Sequence, residues 1–151
     1  DHIAQLTGAT LLPKLSLSGL ATQLASVSGV IAVDTGLGHL AAALARPTLS
    51  LYGPTDPGLS GTYGVSQKHL CSTFACAPCL KKTCAYKGPA VLDNDNTVAP
   101  PCFSTHPPAS VWQTFEALLA EAALGRPKSY YDTSGYDNSD YIKSNNGSTG
   151  K

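Results

Sequence analysis

Residues 30–54 read VIAVDTGLGHLAAALARPTLSLYGP. The run 30–33 is short and continuously apolar, which is typical of a strand buried on both faces of a parallel sheet. Residues 34–38 then turn the chain, and residues 39–44 have the alanine-rich pattern of a helix. Residues 48–52 form a second apolar run, which we also interpret as a buried strand. A strand, a helix and a strand in this order predict a βαβ unit, and therefore an α/β fold with a parallel sheet.

Two further helices are expected beside this unit. Ser16 precedes leucines and a valine at roughly helical spacing, so it is expected to cap a helix that Gly29 ends. A later helix is predicted over residues 110–124. Its apolar stripe indicates core packing and consists of Val111, Phe115, Leu118, Leu119 and Ala122. We expect Trp112 and Phe115 to dock this helix onto the sheet.

The composition narrows the functional classes. The 151 residues include ten Lys and Arg against ten Asp and Glu, so the formal net charge is zero, and charged residues make up 13%. This balance argues against a nucleic-acid partner, because such binding normally needs a basic patch that displaces counterions from phosphates. It also argues against a polybasic membrane-surface segment. No stretch approaches the roughly 18 consecutive apolar residues of a membrane-spanning helix.

The chain divides by composition into three parts. Residues 1–70 alternate apolar runs with glycine and proline, whereas residues 71–108, the cysteine-rich insertion, contain all five cysteines and read as irregular. The tail 126–151 is rich in polar residues and tyrosine with few aliphatic side chains, which predicts disorder. We therefore expect one domain over residues 1–125 and a disordered tail. Because the chain has no Met and no visible secretory signal, we expect residue 1 to be a cut within a longer chain or a processed end.

The turn after the first strand is the main candidate binding site. Ligands of α/β sheets bind at the carboxyl ends of strands, and free N–H groups at a helix N-terminus bind phosphate. Gly36 and Gly38 allow the main chain to approach a ligand closely. Thr35 adds a hydroxyl group, and His39 adds a side-chain donor on the first helical turn. The alternative is that the glycines only permit a tight turn and that His39 is an ordinary polar residue.

Two acidic residues near the strand ends are compatible with several roles. Asp34 can act as a base, bind a metal or a ribose, or cap the next helix, and we favour the cap. Thr55 and Asp56 follow the second strand in a sequence rich in proline and glycine. This second loop is either a further part of the site or an ordinary turn.

The cysteine-rich insertion contains a candidate metal site. An odd number of cysteines, with three of them inside nine residues, fits a reducing compartment better than a disulfide framework. Four thiolates that include a Cys-x2-Cys pair can bind tetrahedral zinc. The candidate ligands are Cys76, Cys79, Cys84 and Cys102, with His69 as a further candidate. The alternative, which we favour, is that these cysteines are free or incidentally paired.

The region from residue 11 to about residue 70 resembles a known family. It is similar to the C-terminal domain of the lipopolysaccharide heptosyltransferases of glycosyltransferase family 9. The matching stretches are LPKLSL (12–17), VDTGLGHLAAAL (33–44), Arg46-Pro47, LYGPTDPGL (51–59), and Tyr63-Gly64 with Gln67. The cysteine-rich insertion departs from this pattern, although its cysteine spacing resembles a cluster in other members of the family.

The resemblance implies the C-terminal half of a GT-B glycosyltransferase, in which two Rossmann-like domains face each other across a cleft. Such enzymes transfer L-glycero-D-manno-heptose from ADP-heptose to the Kdo residue of the lipopolysaccharide inner core and invert the anomeric centre. The implied partners are ADP-heptose, the Kdo-lipid A acceptor and the N-terminal domain of the same enzyme. The implied location is cytoplasmic and peripheral on the inner membrane of a Gram-negative bacterium. No cofactor is expected.

The resemblance also assigns roles to particular residues. The expected contacts of ADP-heptose are Asp34, Thr35, Gly36, Leu37, Gly38 and His39, with Leu15 at the adenine pocket. The family's general base is a carboxylate of the N-terminal domain, so we expect no catalytic residue in this chain and no turnover by the chain alone. Lys81, Lys82 and Lys87 are weaker candidates for contacts to the lipid A phosphates. The competing hypothesis is a non-catalytic binding module with a nucleotide-binding fold, or one stabilised by zinc.

Overall fold

The computed structural model describes residues 2–94 and 96–125. The tail 126–151 lies outside the described residues, so its predicted disorder stays a prediction. The helices are α1 (His2–Thr7), α2 (Leu17–Ser26), α3 (Gly36–Ala43), α4 (Pro57–Ser60) and α5 (Pro108–Ala123), with a 3₁₀ helix at Pro101–Thr105. The strands are β1 (Val30–Val33), β2 (Thr48–Tyr52), β3 (Gln67–Cys71), β4 (Leu92–Asp93) and β5 (Asn96–Thr97).

The centre of the fold is a three-stranded parallel sheet with the order β1-β2-β3. Val30 pairs with Thr48, and the register continues to Val33 and Leu51. Helix α3 connects these two strands, so the predicted βαβ unit is confirmed. The helix begins at Gly36, three residues before the predicted start, because the chain turns within Asp34 and Thr35 alone.

The two strands of this unit differ in burial. Strand β2 lies in the middle of the sheet, and four of its five residues are buried. In the edge strand β1, the side chains of Ile31 and Val33 are 42% and 44% exposed. The prediction of a strand buried on both faces is therefore right for β2 and wrong for β1. The reason is that α3 packs against β1, whereas the Ile31 and Val33 face has no such cover among the described residues.

Helix α5 closes the core over β2. Val111, Phe115 and Leu118 form a buried cluster with Leu49, and three half-buried leucines surround it, namely Leu51, Leu70 and Leu119. The predicted apolar stripe is thus confirmed as core. The expectation for Trp112 is wrong, since this side chain is 54% exposed and is not part of the buried core; its ring centroid lies 6.0 Å from that of Phe115.

The predicted cap of α2 is confirmed, and the role of Gly29 is corrected. Ser16 Oγ accepts a hydrogen bond from the Gly19 N–H at 3.2 Å. The helix ends at Ser26, before Gly29 is reached. A Cβ at Gly29 would lie 2.6 Å from Leu119 Cδ2 and 3.0 Å from the Phe115 ring. Gly29 therefore allows α5 to approach the start of β1.

The cysteine-rich insertion is irregular, as predicted, apart from the β4-β5 hairpin and the 3₁₀ helix. Hydrogen bonds join its two ends next to β3 and link it to the loop after β2. Ser72 Oγ donates to the Cys102 carbonyl oxygen at 2.7 Å, and Thr105 Oγ1 donates to Ser72 Oγ at 3.0 Å. The Leu80 N–H donates to the Pro54 carbonyl oxygen at 2.8 Å. Within the described residues, none of the helices combines the length and the apolar character that crossing a bilayer requires.

Candidate functional site

The loops at the carboxyl ends of β1 and β2 meet through one hydrogen bond. Ser60, the last residue of α4, donates its hydroxyl hydrogen to Asp34 Oδ2 at 2.8 Å, across 26 residues of sequence. Asp34 directly follows β1, and α4 follows the loop after β2. The contact therefore brings the two predicted loops to one edge of the sheet, as expected for neighbouring parallel strands.

Asp34 is not the cap of α3. The residue at the cap position is Thr35, which has an extended backbone and makes no side-chain cap hydrogen bond. The prediction that Asp34 caps the helix is wrong because its carboxylate is instead held by the hydroxyl of Ser60, a charge-assisted hydrogen bond. On its other side, Asp34 Oδ1 lies 3.9 Å from His39 Nε2.

The N-terminus of α3 is consequently open. The Thr35 carbonyl oxygen accepts from the N–H groups of Gly38 and His39, at 3.1 and 3.4 Å. The N–H groups of Gly36 and Leu37 precede the first intrahelical hydrogen bond, and no side chain caps them. The first turn contains no acidic residue. The exposed N–H groups and the positive end of the helix dipole together favour an anion at this position.

The two glycines of this turn have different roles. A Cβ at Gly36 would meet nothing within 4 Å, so this position leaves the space in front of the N–H groups open. A Cβ at Gly38 would lie 3.3 Å from Ala32 Cβ and 3.7 Å from Thr62 Cγ2. Gly38 is also buried. Gly38 therefore serves the close packing of α3 on β1, and its predicted contact with a ligand stays a prediction.

The remaining predicted donor-site residues lie around this helix start. The side chain of His39 is 46% exposed and that of Asp34 is 20% exposed, so both can be reached from solvent. Leu37 is exposed on the first turn of α3. Leu15 is half-buried just before α2, which packs against α3. The structure thus brings together the residues of the turn, and it places Leu15 at the start of the neighbouring helix.

Asp56 has a structural role. Its Oδ1 accepts a hydrogen bond from the Gly58 N–H at 2.8 Å and caps α4, and the side chain is almost fully buried. Of the two interpretations of the second loop, an ordinary turn is therefore right for Asp56. Its contribution is indirect, because the capped helix holds Ser60 in reach of Asp34.

A buried polar network beneath the site was not predicted. The Thr62 N–H donates to Tyr52 Oη at 3.3 Å, and Thr62 Oγ1 lies 2.9 Å from His69 Nε2. Ser50 Oγ lies 3.5 Å from Thr62 Oγ1. Ser50 and His69 are direct neighbours in the parallel register of β2 and β3. The sequence offered no local signal for this network, because only the strand register shows that Ser50 and His69 are adjacent.

Burial shifts the pKa values of this network. Desolvation lowers the pKa of His69 below 6.5, with a smaller raising effect of its hydrogen bond to Thr62 and a lowering effect of the charge on His39. Desolvation also raises the pKa of Tyr52, to which the negative charge of Asp34 adds. His69 is therefore a neutral hydrogen-bonding residue beside Tyr52 and Thr62.

The four candidate zinc ligands line one cavity. The cavity measures about 270 Å³, and its wall includes Cys76, Cys79, Cys84 and Cys102 together with Lys81, Lys82 and several prolines. All five cysteines are free. In the part of the chain that the structure describes, no three His, Cys, Asp or Glu side chains are arranged to hold a metal ion. The predicted ligand set is thus gathered around one space without forming a coordination sphere.

A parallel α/β sheet with an open helix N-terminus at a strand end defines a Rossmann-like class of domain. The comparisons with known proteins make this class specific. The family model for glycosyltransferase family 9 (heptosyltransferase) matches residues 1–89, and the chain belongs to this family.

Curated relatives give the closer comparison. The chain is 53% identical over 120 residues to lipopolysaccharide heptosyltransferase 1 of Pseudomonas aeruginosa, covering 77% of this chain and 34% of that protein. It is 57% identical over 61 residues to the Salmonella typhimurium protein of the same name, covering 40% of this chain and 19% of that protein. The corresponding Escherichia coli K12 protein is 61% identical over 56 residues, covering 37% of this chain and 18% of that protein.

A solved structure, titled E. coli heptosyltransferase WaaC with ADP, is 51% identical and covers 45% of this chain and 22% of that chain, with a TM-score of 0.44. The chain spans at most about a third of the length of the curated relatives it matches. Because the P. aeruginosa alignment covers 77% of the 151 residues, it necessarily includes residues 40–110. The cysteine-rich insertion therefore lies within the part of the chain that aligns with this relative.

Proposed function

We propose that this chain is the donor-binding part of an inverting heptosyltransferase, which transfers L-glycero-D-manno-heptose from ADP-heptose to the Kdo inner core of lipopolysaccharide. The observation that carries the proposal is the open N-terminus of α3 at the end of β1, in a chain of glycosyltransferase family 9. The relatives that support the choice of sugar and acceptor class are named lipopolysaccharide heptosyltransferase 1.

The diphosphate of the donor binds at the start of α3. The N–H groups of Gly36 and Leu37 donate to its oxygens, and the hydroxyl of Thr35 adds a third donor. The space in front of Gly36 is free of other atoms, which supports a close approach of the phosphates. These donors also stabilise the negative charge that grows on the leaving ADP as its bond to the sugar breaks.

Asp34 and His39 complete the anion site. A free carboxylate beside a diphosphate would repel it, but the hydroxyl of Ser60 and the nearby imidazole of His39 offset the charge of Asp34. In this proposal His39 Nε2 reaches the diphosphate or the sugar from its exposed position on the first turn. Leu15 lines the adenine pocket from the start of α2, and Gly38 supports the site through packing.

The transfer step requires one group that this chain does not supply. An acceptor hydroxyl of Kdo attacks the anomeric carbon, its proton passes to a carboxylate base, and ADP departs from the opposite face. We place that base in an N-terminal domain that faces residues 1–125 across a GT-B cleft. No residue of this chain is proposed as catalytic. The acceptor is part of a membrane lipid, so we also propose peripheral association with the cytoplasmic face of the inner membrane.

The competing hypothesis, a non-catalytic binding module, predicts the same fold. It is not favoured, because the chain shares 53% identity with an enzyme over 120 residues. A transfer assay distinguishes the two hypotheses, whereas a binding assay does not, because both allow the chain to bind a nucleotide.

The experiment combines calorimetry with a chimeric enzyme. Titration of this chain with ADP and with ADP-heptose is expected to show binding of both, and binding of neither would refute the donor site. A chimera in which this chain replaces its aligned segment in the P. aeruginosa relative is then expressed in a heptosyltransferase 1-deficient strain. Mass spectrometry of the lipopolysaccharide is expected to show restored heptose.

A matched pair of variants tests the site within the chimera. His39→Ala should lower transfer by at least tenfold, because it removes a donor to a charged ligand, worth about 1.5–3 kcal/mol. Gln23→Ala, at an exposed position on α2, is the control and should transfer heptose normally. A chimera that folds and binds ADP but transfers no heptose would instead favour the non-catalytic module.

A further inference from the structure

Thr62 is a buried residue in the loop between α4 and β3, and it lies close to both sides of the proposed donor site. Its methyl group faces the first turn of α3, because a Cβ at Gly38 would lie 3.7 Å from Thr62 Cγ2. Along the chain it is two residues from Ser60, whose hydroxyl donates to Asp34. Thr62 therefore lies where the chain that leaves α4 meets the start of α3.

Polar groups of the sheet hold Thr62 in this place. Its N–H donates to Tyr52 Oη at 3.3 Å, and its Oγ1 lies 2.9 Å from His69 Nε2. These two partners belong to β2 and β3, whose positions are fixed by the parallel register of the sheet. Their rings also contact each other edge to face, with 5.2 Å between the centroids. Thr62 is thus fastened to the sheet through both its backbone and its side chain.

Helix α4 is too short to position Ser60 by itself. It has four residues, and an isolated helix of one turn is unstable in water. Asp56 caps its start. At its other end, a Cβ at Gly61 would lie 2.9 Å from His69 Cε1, and the next residue, Thr62, bonds to the same imidazole. Ser60 is therefore held from both sides, by Asp56 before it and by Thr62 after it.

We propose that Thr62 is a positioning residue of the donor site, which keeps the hydroxyl of Ser60 within reach of Asp34 through its own hydrogen bond to His69. Thr62 is buried, so it acts through Ser60 rather than by contact with the donor. Loss of its hydroxyl frees the end of α4, and the Asp34 carboxylate then loses the donor that offsets its charge. The effect on the donor rests on the proposed binding of ADP-heptose at the start of α3, whereas the coupling of Thr62 to Ser60 does not.

Two variants of Thr62 separate its hydroxyl from its methyl group. Thr62→Val keeps the shape of the side chain and removes the hydroxyl beside His69 Nε2. Thr62→Ser keeps the hydroxyl and removes the methyl group. Because the positioning depends on the hydroxyl, the serine variant should preserve it and the valine variant should not. If Thr62→Val does not fold, Tyr52→Phe takes its place, since it removes only the acceptor of the Thr62 N–H.

Thr48→Val is the matched control. Thr48 is also buried, and its Oγ1 donates to the Arg46 carbonyl oxygen at 2.9 Å. It is the first residue of β2, so it lies at the edge of the sheet opposite the start of α3. Both valine variants lose one buried hydroxyl hydrogen bond, and both should therefore be less stable than the unmodified chain. Only Thr62→Val should affect Ser60 and the donor site.

The first measurement needs no ligand. Urea unfolding of each valine variant, of Ser60→Ala and of the two double variants gives the equilibrium constants of unfolding. If Thr62 positions Ser60, Ser60→Ala removes less in the Thr62→Val background, and the product of the single effects should exceed the double effect by at least about twofold. The effects of Thr48→Val and Ser60→Ala should simply multiply. Multiplication for Thr62→Val as well would overturn the proposal.

The second measurement is calorimetry with ADP on the same folded proteins. Thr62→Val should weaken ADP binding by about the same factor as Ser60→Ala, whereas Thr62→Ser and Thr48→Val should bind as the unmodified chain does. Normal affinity of Thr62→Val would overturn the positioning role. If the unmodified chain bound no ADP, the proposed donor site would fail, and the coupling measured by unfolding would still decide whether Thr62 positions Ser60.

Discussion

Replacing Gly38 by alanine tests whether this glycine serves packing rather than ligand binding. The new Cβ would lie 3.3 Å from Ala32 Cβ and 3.7 Å from both Thr62 Cγ2 and the Val33 carbonyl oxygen. Ala32 has no side-chain rotamer that could move away, so α3 and β1 must separate by a few tenths of an ångström. At Gly36 the same substitution meets open space, which makes it the matched control.

The expected magnitudes follow from these contacts. Alanine in place of glycine inside a helix gains about 1 kcal/mol, whereas overpacking a tight contact costs about 1–3 kcal/mol. Gly38→Ala should therefore lower the free energy of unfolding by up to about 2 kcal/mol. Gly36→Ala should raise it by about 0.4–1 kcal/mol, mainly by restricting the unfolded chain. Gly36→Ala should therefore be more stable than Gly38→Ala.

Two assays separate packing from binding. Urea unfolding followed by circular dichroism gives the free energies, with equal m-values for the three proteins. Calorimetry with ADP should show weaker binding for Gly36→Ala, by about tenfold or more, because its Cβ crowds a phosphate hydrogen bond worth about 1.5–3 kcal/mol. If Gly38→Ala were at least as stable as Gly36→Ala, the packing role of Gly38 would be wrong. If Gly36→Ala bound ADP normally, the diphosphate would not lie at this turn.

Three other outcomes test the site and its support. Because burial lowers the pKa of His69, the unfolded chain takes up this proton below pH 6.5 and the folded chain does so only at lower pH. The free energy of unfolding should therefore decrease as the pH is lowered from 6.5 towards the pKa of the folded state, by at most about 1.4 kcal/mol per pH unit. In urea unfolding, His69→Gln should lack this pH dependence. Ser60→Ala should weaken ADP binding severalfold in calorimetry, because Asp34 loses the donor that offsets its charge; unchanged affinity would contradict that role. Phe115→Ala should lower the free energy of unfolding by about 3–5 kcal/mol in the same urea assay, and a loss below 1 kcal/mol would contradict its place in the core.

The parallel βαβ unit could be predicted because its signals are local. Two apolar runs and an alanine-rich segment follow one another within residues 30–52, and the pairing of such strands is governed by the intervening helix. The candidate turn could be predicted for the same reason, since residues 34–39 are consecutive in sequence and lie close together in any fold. The stripe of α5 followed from its helical period, and the structure buries its central residue Phe115.

The failed and the missing predictions concern contacts between distant segments. Asp34 turns away from the helix it precedes because Ser60, 26 residues later, offers a hydroxyl, and no local pattern shows this. The packing role of Gly38 depends on Ala32 and Thr62, which become its neighbours only when the sheet forms. The exposure of Val33 depends on β1 being an edge strand, which strand composition alone does not determine.

The zero net charge of the chain is compatible with the proposed binding of an anion at the start of α3. Asp34 is the only carboxylate among residues 30–40, and its two oxygens face the hydroxyl of Ser60 and the imidazole of His39. In the proposed site, the N–H groups of Gly36 and Leu37 would supply the attraction to phosphate without a formal charge. A basic patch is therefore not needed for a diphosphate, which is a small and localised anion, although it would be needed along a nucleic acid. The zero net charge thus argues against a nucleic-acid partner and is compatible with a diphosphate ligand.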